Sequence, residues 1–215
     1  MLVIGESGLS VSRVLCLGAH ADDIEIGCAG LLLVLLGRQP NVTVDWVVLS
    51  ADDERAAETR GAAERLLAGA GEHAVTIKRF RERYFPYDPA LKEFFDELGR
   101  GPRPDLVLAP WQGDAHQDHR TVSELAANTF RNELILEYEI PKFDGDLGRP
   151  SVYVHLPAAV VEQKVDTLMG CFPSQRRRAW FTPETFRGLM RLRGVESNAP
   201  DGHAEAFHAR KLVLA

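Results

Sequence analysis

Residues 11–27, VSRVLCLGAHADDIEIG, change character half-way: a mostly apolar run ends near Gly18 and is followed at once by His20, Asp22, Asp23 and Glu25. The run is short and rich in β-formers, as a strand covered on both faces is. Ionisable side chains at the mouth of such a strand are costly to desolvate unless something offsets their charge. Similar runs follow at 42–50 (VTVDWVVLS), 74–80 (AVTIKRF) and 105–110 (DLVLAP). Between them lie helical segments at 27–38, 54–71 and 89–100. The second of these is rich in Ala, Glu, Arg and Leu and ends in glycine, as helix propensity and C-capping favour. Strands alternating with helices of this length predict an α/β fold, a Rossmann-like, doubly wound and mostly parallel sheet with helices on both faces.

The second half is less regular. A helix is expected from about Asp118 through TVSELAANTFR, strands at LILEYEI (134–140) and SVYVHL (151–156), then helices at AAVVEQKVDTLMGC and PETFRGLMRLRG, and a terminal strand at KLVLA. No repeat, low-complexity tract or linker divides the chain, so residues 1–215 are read as one domain.

Composition narrows the function classes. A formal charge of −6 offers no basic footprint for nucleic acid or an anionic membrane. No apolar run approaches the roughly 20 residues of a spanning helix. The opening MLVIGESGLS lacks a cationic region followed by a long apolar one, so no signal peptide is expected. Cys16, Cys28 and Cys171 have no paired spacing, which fits a cytoplasmic protein with reduced thiols.

In open α/β sheets ligands bind beyond the carboxyl ends of the strands, where Gly18–Glu25 falls. A dinucleotide site would need glycines at this turn, and carboxylates repel phosphates, so no nucleotide cofactor is expected. A divalent cation resolves the crowding of acids. A second cluster, GDAHQDHR (113–120), directly follows the fourth strand run and holds Asp114, His116, Asp118 and His119. Two strands of one parallel sheet bring their ends to the same edge, so the clusters can meet. One histidine and one aspartate from the first, with one histidine from the second, make a site with an open position, typical of catalytic zinc; ferrous iron also accepts this set. Taken singly, an Asp-Asp pair is ordinarily a helix cap, and a lone HxxH is ordinarily surface.

AHADDIE and DAHQDHR resemble the AHPDD(I)E and DxHxDH signatures of the PIG-L/LmbE-like zinc-dependent N-deacetylases. ETRGAAERLL resembles that family's RxxE segment through Arg60 and Glu64, while FPSQ (172–175) and RGVESNAPDGHAEAFHARK (193–211) resemble its SQ and AEaF elements. The resemblance implies Zn²⁺ (or Fe²⁺) on His20, Asp23 and His119, Asp22 as general base, His116 assisting at the tetrahedral intermediate and Asp118 as its supporting acid. Ala21 stands where the signature has proline, and Ala115 replaces a commonly larger residue. The reaction implied by the resemblance is hydrolysis of an N-acyl, typically N-acetyl, group on an amino sugar such as N-acetylglucosamine or a related small molecule. The same hydrolysis of a natural-product intermediate, or a non-catalytic metal site, are the rival readings. The resemblance also makes a homo-oligomer unsurprising.

On this reading His116 is cationic, and Asp118 orients either His116 or the second nitrogen of His119. Glu25 either orients His20 or caps the following helix. Arg60 and Glu64 form an ordinary i,i+4 surface pair or, as the resemblance implies, Arg60 reaches the rim of the site; Arg120 is solvated or touches substrate, and the basic run QRRRAW (175–180) forms a solvated face or a lid. Specificity is assigned to loops 81–90 and 141–150.

Overall fold

The computed structural model describes residues 10–213. Its strands are β1 (Arg13–His20), β2 (Thr43–Ser50), β3 (Glu72–Ile77), β4 (Leu106–Pro110), β5 (Leu134–Tyr138), β6 (Val152–His155) and β7 (Ala204–Ala209). Its helices are α1 (Asp23–Arg38), α2 (Asp53–Leu66), α3 (Pro89–Arg100), α4 (Gln117–Thr129), α5 (Ala158–Cys171) and α6 (Pro183–Ser197). The seven strands form one sheet in the order β3-β2-β1-β4-β5-β7-β6. β1 is parallel to both β2 and β4, and the parallel pairing extends to β3 and β5. β7 runs antiparallel between β5 and β6.

Helices cover both faces. One core joins Val14, Cys16, Trp46 and Leu108 of the sheet to α1, α2, α5 and α6; the other joins Leu15, Leu17, Val47 and Val107 to α3 and α4. Alternate residues of each central strand supply the two cores, which is why these strands are apolar throughout. The chain builds outward from β1 to β3, then returns to start again at β4 on the other side of β1. That reversal is the topological switch point where doubly wound sheets place their ligands.

Two expectations change. The first helix begins at Asp23, four residues before Gly27, because Asp22 caps it in a left-handed conformation (φ 86°) and the following DIEI turn is already helical. The last described strand is AEAFHA, not KLVLA: the alternation of Ala204–Ala209 pairs with both β5 and β6, whereas 211–213 are exposed and outside any strand. Residues 214–215 of that expected strand, and most of the MLVIGESGLS opening, lie outside the described residues. Among the described residues no helix is long and apolar enough to cross a membrane, and the three cysteines are unpaired.

Two buried contacts fix α1 against the sheet. Gly27 faces the ring of Tyr138, so close that a Cβ there would fall 2.1 Å from Cδ2. Glu205 of β7 accepts hydrogen bonds from the backbone N–H of Gly30 and Leu31 and pairs with the buried Lys164, which also donates to Ile26 O. The AEaF element therefore anchors the helix whose first turn enters the site.

Candidate metal centre at the switch point

β1 and β4 are adjacent, so the segments that leave their carboxyl ends meet although His20 and His119 are 99 positions apart. His20 ends β1; Asp23 opens α1, and its Oδ2 accepts the backbone N–H of His20 at 2.8 Å, which folds the turn back on itself. His119 lies in the first turn of α4, which His116 caps. Three donor atoms converge: His20 Nδ1 is 3.3 Å from His119 Nε2 and 3.6 Å from Asp23 Oδ2, and His119 Nε2 is 3.4 Å from Asp23 Oδ2. Ligands about 2.0–2.1 Å from one tetrahedral zinc are about 3.3 Å apart, so this donor set fits such an ion. A ring nitrogen of His116 also lies within 4.8 Å of those of His20 and His119.

Each of the two converging histidines is held from behind by a carboxylate. His119 Nδ1 meets Asp114 Oδ2 at 2.8 Å, and His20 Nε2 meets Asp118 Oδ2 at 3.1 Å. Asp118 thus orients His20, neither of the two partners expected for it; its carboxylate also accepts the backbone N–H of Arg83 at 2.5 Å and of Phe85 at 3.3 Å. Asp114 takes the place expected of Asp118 beside His119 and also binds Lys142 Nζ at 2.9 Å. The loops at 81–90 and 141–150 are therefore each tied to the site, one through Asp118, the other through Asp114 and the Ala115 N–H···Asp146 bond.

The charges follow from these contacts. Burial opposes ionisation of Asp23, but His119 and His20 outweigh it and hold the carboxyl well below its usual range. Burial works against the His119 cation, yet Asp23 and Asp114 push its pKa up to about 10. Burial and the adjacent His20 and His119 lower the pKa of His116, which favours the neutral ring over the cation that was expected. Its Nδ1 accepts the Asp118 N–H at 3.2 Å, which puts the proton of the neutral ring on Nε2.

Asp22 is buried, and burial raises its pKa to about 6 against the opposing effect of Arg55. The Arg55 guanidinium pairs with Asp22 at 3.0 Å, donates to Ala21 O, and binds Glu58 and Ser174 Oγ at 3.0 and 3.1 Å. Glu58 in turn accepts Ser174 N–H and Oγ–H, so the SQ element closes this network. Arg55 and Glu58 do what was expected of Arg60 and Glu64, which are exposed. The signal was present: Arg55-x-x-Glu58 has the RxxE spacing and opens the helix directly after β2, at the sheet edge, whereas Arg60 lies further along it. Arg120 donates to Asp114 O and Ala115 O and so braces the turn before α4. Glu25 fills neither expected role. It is fully buried, its oxygens have no hydrogen-bond partner among the described residues, and burial raises its pKa well above the usual carboxylate value.

A family model described as GlcNAc-PI de-N-acetylase, PIG-L, matches residues 15–130, more than half of the 215. The chain belongs to the PIG-L family. The matched span holds both motifs and Arg55–Glu58, and Ser174 and Glu205 lie beyond it. No curated protein matches the chain. Solved structures of the same fold include the conserved protein TT1542 from Thermus thermophilus, 22% identical over 96% of this chain and 97% of that one, with a TM-score of 0.74. N,N′-diacetylchitobiose deacetylase from Pyrococcus horikoshii is 20% identical over 93% and 84%, with a TM-score of 0.71. The 4-carboxy-2-hydroxymuconate hydratase GalB from Pseudomonas putida KT2440 is 16% identical over 95% and 98%, with a TM-score of 0.77. A deacetylase and a hydratase both share this PIG-L architecture, so the fold alone leaves the reaction open.

Proposed function

We propose that this PIG-L family chain is a metal-dependent hydrolase that removes an N-acyl, typically N-acetyl, group from an amino sugar or a sugar-containing small molecule. The observation that carries the reading is the paired backing of the histidines: Asp118 behind His20 and Asp114 behind His119 leave Nδ1 and Nε2 aimed at Asp23 Oδ2. Carboxylate-backed histidines are how catalytic metal sites fix ring orientation and tautomer. His20, Asp23 and His119 would hold the ion, zinc or ferrous iron by donor type. When bound it supplies Lewis-acid activation of water and of the amide carbonyl.

The remaining residues divide the proton work. Asp22, buried beside the donor set and held by Arg55, takes a proton from the attacking water; a base whose pKa is about 6 is ionised, yet still a useful acceptor, at neutral pH. His116 presents Nε2–H to the carbonyl oxygen as negative charge develops there. The new C–O bond replaces the C–N bond, and the proton gathered by Asp22 passes to the departing amine. Net, water and amide give carboxylate and amine.

The test is release of acetate from N-acetylglucosamine conjugates, with and without chelator, by wild type and Asp22→Asn. Hydrolysis that chelator abolishes, and that Asp22→Asn lowers by orders of magnitude while metal content persists, is the expected result. Loss of metal in Asp22→Asn would make Asp22 a ligand and overturn these roles.

A further inference from the structure

Residues 111–116, between the end of β4 and the start of α4, bring Asp114 to within 2.8 Å of His119 Nδ1. A reacting constellation works only within about 0.5 Å and 10–20° of its productive geometry, and a loop without regular structure does not hold that precision unaided. Whatever fixes this loop therefore fixes the histidine. The Asp114 N–H donates to Trp111 O at 3.1 Å, and the Trp111 N–H donates to Tyr138 O at 3.0 Å, which pins the turn to β5. The half-buried indole lies nearly flat on the imidazole of His208, from β7, with centroids 4.5 Å apart and planes at 10°. Gly113, the residue before Asp114, and Gly148 both close on the six-membered ring of the indole; a Cβ on either would fall 2.5 or 2.6 Å from its carbons. Gly148 is held in turn, its carbonyl accepting Arg193 Nη2 at 3.2 Å. Three separate parts of the chain thus grip one ring. His208 Nε2 is buried with no hydrogen-bond partner among the described residues, a cost that an apolar side chain would avoid. What the His208 ring supplies is a flat surface for Trp111.

We infer that Trp111 is a positioning residue of the metal centre and His208 its support: the stack sets the 111–114 turn and, through Asp114, the angle at which His119 turns Nε2 to His20 and Asp23. Both rings act through Asp114, and neither is a catalytic residue. Carboxylates that orient a ligand imidazole set metal affinity, so a support that aims the carboxylate acts on the same quantity. This inference deepens the hydrolase reading above and rests on it for the metal.

The test is zinc affinity, measured by competition with a chromogenic chelator, in wild type, Trp111→Ala, Asp114→Ala and the double variant. Trp111→Ala is expected to bind zinc about tenfold more weakly than wild type, and to cost nothing further once Asp114 is alanine. A general loss of packing would lower affinity by the same factor in both backgrounds. His208→Phe, which keeps a flat ring, is expected to stay near wild type while His208→Ala follows Trp111→Ala; this pair decides the matter where Trp111→Ala does not fold. A second readout needs no metal: an exchange-protected Nδ1–H proton resonance of His119, expected in wild type and lost in Trp111→Ala and His208→Ala. Unchanged affinity in Trp111→Ala, equal losses in the two backgrounds, His208→Phe as weak as His208→Ala, or a resonance that persists without the stack overturns the inference. Affinity and resonance that follow the stack, in a protein that hydrolyses no N-acetyl sugar, keep it and overturn the hydrolase reading. Wild type that binds no zinc, yet loses the resonance with the stack, overturns the metal centre and keeps the positioning of His119.

Discussion

Asp114 Oδ2 stands 2.8 Å from His119 Nδ1 and 2.9 Å from Lys142 Nζ, so one carboxylate oxygen serves both an imidazole and an ammonium. The imidazole is held with Nε2 turned to His20 and Asp23. Replacing Asp114 by alanine should weaken zinc binding about 10–100-fold. Competition against a chromogenic chelator measures it, and an unchanged affinity would show that the backing carboxylate is dispensable.

Metal uptake should release protons. His119, pushed up to about 10 from 6.5, is cationic at neutral pH without an ion, and a ligand imidazole must give up that proton. Apparent affinity should therefore rise by roughly tenfold per pH unit below about 10, then flatten. Calorimetry in buffers of different ionisation enthalpy counts the protons. In the metal-free protein the sign is opposite for stability: the contribution of the His119 cation is complete below 6.5 and is lost as pH rises through about 10.

Arg55 should set the acid limb of activity. Burial raises Asp22 and Arg55 opposes it, so Arg55→Ala removes a lowering influence and moves the acid limb of kcat/KM to higher pH, while Arg55→Lys moves it less. A pH–rate profile whose acid limb stays in place in Arg55→Ala would separate Asp22 from the titrating base.

Gly27 is a packing constraint. A methyl group there meets Cδ2, Cγ and Cε2 of Tyr138 at 2.1–2.7 Å, and the phenol is pinned by its 2.6 Å bond to Leu17 O. Gly27→Ala should cost about 1–3 kcal/mol, or more where the ring cannot yield, read as a lowered midpoint in denaturant.

Much of this architecture is legible along the chain, and the parts that are not have physical reasons. Helix α3 occupies its expected bounds because Asp88 caps it, proline starts it and glycine follows it. Alternation places the two motifs at the same edge of a parallel sheet; that they meet follows from the strand order, which sets β1 beside β4. The start of α1 is hidden by a non-glycine residue at positive φ, a conformation that local composition does not announce. Asp114 and Lys142 escape notice as a pair because 28 residues and a turn-rich loop separate them, and loop conformation has no periodicity to read. Arg55 is masked by Arg60, although both lie on α2, since a spacing motif without a known helix start does not say which turn faces the strand ends.

The adjacency of β1 and β4 has a consequence for how the chain comes apart. An ion gripped by His20, Asp23 and His119 would act as a clasp between two halves that are joined by some ninety residues of intervening chain, and opening the molecule between those strands would mean first surrendering the ion. At free zinc about a hundredfold above its dissociation constant, that clasp would add about 2.7 kcal/mol to the unfolding free energy. A chelator should then shorten the lifetime of the native state as well as silence the site.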